Sequence, residues 1–135
     1  MKSRMIAALA ALVVLATVLC TPPKAYATNR FAVVGIENAT HVTIHIQYKW
    51  GGKPWKKDVI APGHRKYYWW TYSRPNENKS PRFRVWFDSD LSGRRFIETY
   101  NLKKRAAPDH TWNFAEKYIF RYDRSKNFIE LYHKK

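Results

Sequence analysis

The clearest pattern in the chain is a strict alternation of apolar and polar residues over positions 41–50. Its apolar members are Val42, Ile44, Ile46, Tyr48 and Trp50. Because successive side chains of a strand point to opposite faces of a sheet, a period of two over this length predicts a strand with one buried face. Positions 81–88 repeat the pattern, with Phe83, Val85 and Phe87 on one face and Arg82, Arg84 and Trp86 on the other. We therefore expect both segments to contribute apolar side chains to one core.

Shorter segments rich in aromatic and β-branched residues predict the remaining strands, because Gly, Pro, Asn and Ser residues separate them. Their predicted bounds are 30–37, 55–60, 64–72, 94–102, 117–124 and 127–133. The last two are predicted to form a hairpin, whereas 103–110 is predicted to be a basic connection that contains a proline. This spacing, with about seven or eight short strands, favours an all-β fold: an antiparallel two-sheet β-sandwich, with a barrel as the alternative.

The N-terminal residues have the pattern of a secretory signal peptide. A basic start is followed by an apolar run over 5–19, and Ala25-Tyr26-Ala27 supplies small residues at the two positions that a signal peptidase reads. A membrane anchor would need about 20 apolar residues, and this run is shorter. We expect a signal peptide over 1–27, one β-sandwich domain over 28–135, and a secreted or periplasmic location after cleavage near Ala27. Lipidation at Cys20 is a minor alternative.

Cysteine content and charge narrow the classes of function. Cys20, the single cysteine, falls in the predicted signal peptide. The predicted domain therefore relies on packing instead of disulfides, and it has no thiol for catalysis. Lys2, Arg4 and Lys24 fall there too, which leaves the domain with 22 basic and 10 acidic residues, a net charge of +12. This charge either aids solubility or attracts anionic partners: acidic polysaccharide, a cell surface or lipid head groups, without specific nucleic-acid recognition.

The segment 64–72, His-Arg-Lys-Tyr-Tyr-Trp-Trp-Thr-Tyr, has large aromatic side chains on both faces of a predicted strand. One face of a sheet can lie in the core, so some of these rings are expected at the surface unless other elements cover them. Exposed Trp and Tyr beside Arg and Lys stack on sugars or bases and attract anions. The predicted binding residues are Arg65, Tyr67, Trp69, Arg84, Trp86, Lys103, Lys104 and Arg105.

A short acidic stretch resembles the start of a calcium loop. Asp88, Asp90 and Ser92 alternate before Gly93, as oxygen ligands of calcium do. A complete loop requires a glutamate six residues after the glycine, but the glutamate of this chain lies one position too early. We therefore interpret the stretch as the polar connection of a central hairpin and expect no metal. Calcium at these three side chains is the alternative.

The sequence lacks the motifs that identify common hydrolases, metalloenzymes and nucleotide-binding proteins. We expect a non-enzymatic binding domain that uses basic and aromatic residues to bind an anionic or glycan surface, without a cofactor. One alternative is a membrane-active, toxin-like protein that inserts aromatic side chains into lipid. Another is a small secreted hydrolase, which needs two carboxylates about 5–9.5 Å apart. Asp88 or Asp90 with Glu98 is the candidate pair for such an enzyme.

Overall fold

The computed structural model describes residues 28–93, 97–125 and 127–135. The predicted signal peptide over 1–27 lies outside these residues. The strands in chain order are β1 (Phe31–Asn38), β2 (Ile44–Trp50), β3 (Lys56–Ile60), β4 (Arg65–Thr71), β5 (Phe83–Asp88), β6 (Ile97–Leu102), β7 (Arg105–Ala107), β8 (Glu116–Asp123) and β9 (Phe128–His133). A single turn of 3₁₀ helix, Trp112–Phe114, precedes β8.

The strands form two separate sheets, which confirms the predicted β-sandwich and not the barrel. The four-stranded sheet has the order β3-β2-β5-β6. The five-stranded sheet has the order β4-β1-β8-β9, with β7 also paired to β1. Strands β1 and β8 run parallel, whereas the other pairs in the described residues are antiparallel. Strand β4 therefore forms one edge of its sheet, and β3 forms an edge of the other.

Two predicted elements differ from the structure. The connection 103–110 contains β7, which pairs with β1 over Phe31–Val33. It fills the side of β1 that β8 does not reach, because β8 pairs with β1 only from Val34 onward. The predicted strand 41–50 begins at Ile44, and Val42 is 38% exposed.

The reason for the late start of β2 is a buried polar network around Asn38. Its side-chain amide donates to the backbone carbonyls of Val42 (2.7 Å) and Ile60 (2.9 Å). Its side-chain oxygen accepts from the backbone N–H of Thr40 (2.9 Å) and from the Thr40 hydroxyl (2.6 Å). The carbonyl of Val42 is therefore used to close a turn rather than to extend the ladder.

The core lies between the two sheets and includes the inward rows that the alternation predicts on β2 and β5. On β5, Phe83, Val85 and Phe87 are buried and the residues between them are half-buried. The ring of Phe87 meets the edge of the Phe120 ring across the sandwich, with centroids 4.8 Å apart. Because each buried Phe contributes about 1.5–3 kcal/mol, these rings hold the two sheets together.

A second, smaller cluster covers the outer face of the five-stranded sheet. Val33 and Ala107 are buried there together with Ala115, beneath the segment that contains the 3₁₀ helix. The indole of Trp112 lies over Gly35 of β1, where a Cβ atom would be 2.6 Å from the ring. Strand β1 is consequently buried on both faces, and the covering segment brings His110 against Trp69, with ring centroids 4.1 Å apart.

Candidate functional site

A cleft of about 600 Å³ opens beside edge strand β4, next to the turn that joins β2 and β3. Six aromatic side chains line it: Tyr48, Trp50, Tyr67, Tyr68, Trp69 and Trp70. Three lysines, Lys49, Lys53 and Lys56, line it as well. We call this site the aromatic cleft. Its residues come from β2, from the β2–β3 turn, from the start of β3 and from β4.

The turn that closes one side of the cleft depends on a glycine. Gly51 has φ +54°, and a Cβ atom at this position would lie 2.8 Å from Cβ of Pro81. Its N–H donates to the carbonyl of Arg82 (2.7 Å), and the N–H of Lys53 donates to the carbonyl of Trp50 (3.0 Å). The turn thereby places the ammonium group of Lys53 4.9 Å from the ring centroid of Trp70.

The aromatic rings of the cleft are fixed by contacts with one another. The centroids of Tyr48 and Tyr68 are 4.4 Å apart, and those of Trp50 and Trp70 are 5.9 Å apart. Trp50 also packs against Phe83 of the core at 4.6 Å. Trp50 and Tyr68 are buried, Trp70 is half-buried, and Trp69 is 42% exposed. The cleft thus has a rigid floor and a more accessible rim.

The electrostatics of the cleft favour an anion. Among the residues that the structure describes, no acidic side chain lines it. Asp58 of β3 lies nearby, but its carboxylate accepts from Lys66 (2.6 Å) and from the Tyr68 hydroxyl (2.8 Å). Burial raises the pKa of Asp58, but hydrogen bonds from Lys66, Tyr68 and the N–H of Val59 outweigh it and hold the pKa below its usual value. This negative charge is therefore compensated.

The pKa values of two phenols of the cleft, those of Tyr48 and Tyr68, are raised. Burial, and then the negative charge of Asp58, raise the pKa of Tyr48. Burial and the hydrogen bond to Asp58 raise the pKa of Tyr68 far above its usual value. The positive charge of the lysines is therefore not offset by a phenolate at Tyr48 or Tyr68.

A second aromatic surface lies on the outer face of the four-stranded sheet. The rings of Trp55 and Trp86 have centroids 5.0 Å apart. The ammonium of Lys49 is 5.0 Å from the Trp55 ring centroid, and the guanidinium of Arg84 is 5.5 Å from it. A cavity of about 550 Å³ adjoins Trp86. Its lining includes His45, Gln47, Lys57, Asp58, Val59 and Asp88. We call this surface the tryptophan face.

The structure distributes the predicted binding residues over several places. Tyr67 and Trp69 line the aromatic cleft, and Arg84 and Trp86 belong to the tryptophan face. Arg65 shares the outer face of the five-stranded sheet with Tyr67 and Trp69 but does not line the cleft, and its guanidinium is 4.8 Å from the Trp112 ring centroid.

The three basic residues after β6 have different surroundings. Lys103 is exposed. The ammonium of Lys104 donates to the carbonyl of Pro81 (2.8 Å), and burial and the nearby Arg82 charge lower its pKa. Arg105 lies in β7, 3.7 Å from the carboxylate of Glu116. Two of the three cations are therefore already engaged within the domain.

Sequence reasoning missed several residues of the cleft. Tyr48 and Trp50 were predicted to face inward, which the structure shows, yet they also line the cleft together with Trp70, whose orientation was not predicted. Lys53 was not among the predicted binding residues. The sequence signal for Lys53 was the Gly-Gly-Lys-Pro turn directly after Trp50. This turn indicates a cleft only if β4 is known to be an edge strand.

The acidic stretch after β5 forms the connection of the predicted central hairpin, since β5 and β6 pair antiparallel. The Asp88 carboxylate accepts from the N–H of Gly93 (2.6 Å), and the Asp90 carboxylate accepts from the N–H (3.0 Å) and hydroxyl (2.6 Å) of Ser92. Burial and the adjacent Asp90 carboxyl raise the pKa of Asp88. Within residues 28–93, 97–125 and 127–135 no three His, Cys, Asp or Glu side chains are grouped to hold a metal ion.

The register of the same hairpin separates one candidate pair of carboxylates. Glu98 lies directly opposite Phe87, whose side chain faces the core. Asp88 follows Phe87 in the strand, so its side chain points to the other face of the sheet. The carboxylates of Asp88 and Glu98 therefore lie on opposite faces of the sheet and do not form the pair that a hydrolase needs.

Comparisons with protein-family models, with curated proteins and with solved structures give no match for this chain. Fold and site therefore define its class: a two-sheet β-sandwich domain with an aromatic, lysine-lined cleft at one sheet edge. In the part of the chain that the structure describes, no helix has the length and apolar character needed to cross a membrane.

Proposed function

We propose that this domain binds an acidic polysaccharide in the aromatic cleft and does so without catalysis. One observation carries the proposal: six aromatic rings and three lysines line the same cleft, and no acidic side chain among the described residues does. The apolar faces of sugar rings pack against aromatic rings, and carboxylate or sulfate groups accept charge-assisted hydrogen bonds from lysine.

The position of Lys53 suits this ligand in particular. Its ammonium lies 4.9 Å from the Trp70 ring centroid, so a sugar that packs on the exposed part of Trp70 brings its acidic group next to a cation. A neutral sugar would use the ring but not the charge. We therefore expect acidic sugars to bind more tightly than uncharged sugars of the same size.

Lipid insertion is supported less well by the same residues. Trp50 and Tyr68 form the floor of the cleft and are buried against the core. They cannot enter a bilayer without leaving the core, which would cost about 3–5 kcal/mol for a large aromatic residue. An acidic sugar reaches the cleft without such a rearrangement.

Isothermal titration calorimetry with galacturonate oligosaccharides tests the proposal. Lys53→Gln should weaken binding roughly fivefold, as expected for about 1 kcal/mol from one partly exposed charge. Lys135→Gln is the matched control, because it removes an equal charge from an exposed residue outside the cleft. It should leave the affinity nearly unchanged, and both variants should melt as the wild type does.

Three outcomes would contradict the proposal. Equal weakening by the two variants would mean that net charge alone attracts the ligand. Absence of binding at low ionic strength would exclude the ligand class, because screening could not be responsible. Binding to anionic lipid vesicles with leakage of an enclosed dye, and none to the oligosaccharides, would favour membrane activity.

A further inference from the structure

The aromatic cleft and the tryptophan face share a residue. Lys49 lines the cleft, and its ammonium also lies 5.0 Å from the Trp55 ring centroid. Trp55 in turn contacts Trp86, with centroids 5.0 Å apart, and Trp86 borders the second cavity. Lys49, Trp55 and Trp86 therefore form a continuous row of contacts from one cavity to the other.

The two cavities differ in their polar chemistry. The polar side chains around Trp86 include the amide of Gln47, the imidazole of His45, the cation of Lys57 and the carboxylate of Asp88. Gln47 lies directly opposite Trp86 in the β2–β5 register, so an amide adjoins the ring. This mixture of donors and acceptors matches the hydroxyl and amide groups of an uncharged sugar. The three lysines of the aromatic cleft match an acidic sugar instead.

From this difference we infer that the ligand is an extended heteropolysaccharide segment, with an acidic unit in the aromatic cleft and uncharged units on the tryptophan face. The inference rests on the proposed function, since it extends the same ligand beyond the cleft. A chain that crosses both cavities is recognised by its internal units, so affinity depends on chain length.

Hyaluronan oligosaccharides are suitable probes, because uronate and N-acetylated neutral units alternate in them. Calorimetry on the full 28–135 domain should show affinity that rises from the disaccharide to the longer oligomers and then becomes constant. Trp86→Ala should lower the affinity for the octasaccharide at least fivefold, as expected for loss of one stacking ring, and leave the disaccharide affinity unchanged.

Further variants separate this effect from misfolding. Gln47→Ala keeps every ring and should also weaken only the longer oligomers. Tyr122→Ala, the matched control, removes an exposed ring that lines neither cavity and donates a hydrogen bond to Asn127, and it should change nothing. Galacturonate oligomers of equal length, which lack neutral units, should be much less sensitive to Trp86→Ala.

The possible failures are distinguishable. If the wild type binds no acidic oligosaccharide of any length, the proposed function itself is wrong. If the wild type binds but Trp86→Ala and Gln47→Ala weaken no oligomer, or weaken the disaccharide as much as the octasaccharide, the cleft acts alone and the extended site is wrong. If galacturonate oligomers lose as much affinity as hyaluronan oligomers, the assignment of a neutral unit to the tryptophan face is wrong.

Discussion

Gly35→Ala is expected to destabilise the domain because the new methyl group would collide with the covering segment of the five-stranded sheet. A Cβ atom on Gly35 would lie 2.6 Å from Cζ3 and 2.8 Å from Cε3 of Trp112, and 3.1 Å from Cβ of Ala115. Carbon atoms in contact are normally about 3.5–4.0 Å apart, so the indole must move by roughly 1 Å. Trp112 is held between the charged groups of Arg65 and Lys117, which limits this movement.

The expected change in the free energy of unfolding is the sum of two opposing contributions. Overpacking in a well-filled site costs about 1–3 kcal/mol. Replacing a glycine inside a strand with alanine returns about 0.5–1 kcal/mol, because the unfolded chain loses freedom. The net expectation is a loss of about 1–2 kcal/mol in the free energy of unfolding, which corresponds to roughly 5 °C or more in melting temperature for a domain of this size.

Urea unfolding followed by circular dichroism measures this change. Gly52→Ala is the matched control, because a Cβ atom there would meet no other atom within 4 Å and the backbone is not left-handed. In a Trp112→Ala background, Gly35→Ala should cost almost nothing, since its main collision partner is gone. Wild-type stability for Gly35→Ala, or an equal cost in both backgrounds, would refute the reasoning.

Three further predictions concern stability, pH and metal. Asp58→Asn should lower stability by about 2 kcal/mol, the contribution of hydrogen bonds to a charged group. The pKa of Asp58 is lower in the folded state than its ordinary value of 3.8, so its contribution to the free energy of unfolding is complete above pH 3.8 and disappears as the pH falls through the folded-state pKa. The Asp58→Asn variant should therefore lose less stability than the wild type in an acid titration. Asn38→Ala should cost about 3 kcal/mol in urea unfolding, because it removes the hydrogen bonds of the Asn38 side chain to Thr40, Val42 and Ile60 and leaves the buried Ile60 carbonyl without this donor. Calcium should not raise the melting temperature, because Asp88 and Asp90 already accept from their own loop, and a rise abolished by Asp88→Ala would contradict this.

The sequence was sufficient to predict the fold class and the inward rows of β2 and β5. Period two is a local property of the chain, and it placed Phe83, Val85 and Phe87 in the core correctly. Strand β7 was missed because Arg105–Ala107 is short and has no alternation of its own. It becomes a strand only because β8 leaves part of β1 unpaired, which is a property of the topology.

The candidate site shows the same limit. Surface rings on β4 were predicted from the rule that a strand buries one face, and Tyr67 and Trp69 are indeed exposed. Trp50 and Trp70 face inward but also line an open cleft. This could be predicted only with the knowledge that β4 is an edge strand. Neighbours across the two sheets are distant in the sequence, so local patterns do not reveal them.

The central claim is that acidic sugars bind in the aromatic cleft, and the indole N–H signals of the six tryptophans test it most directly. In a nuclear magnetic resonance titration with galacturonate oligosaccharides, the signals of Trp69 and Trp70 should shift and saturate together. The signal of Trp112, which lies on the outer face of the five-stranded sheet and does not line the cleft, should stay in place. Saturable shifts confined to Trp112, or no shift of Trp69 and Trp70 at ligand concentrations that saturate calorimetric binding, would contradict the account.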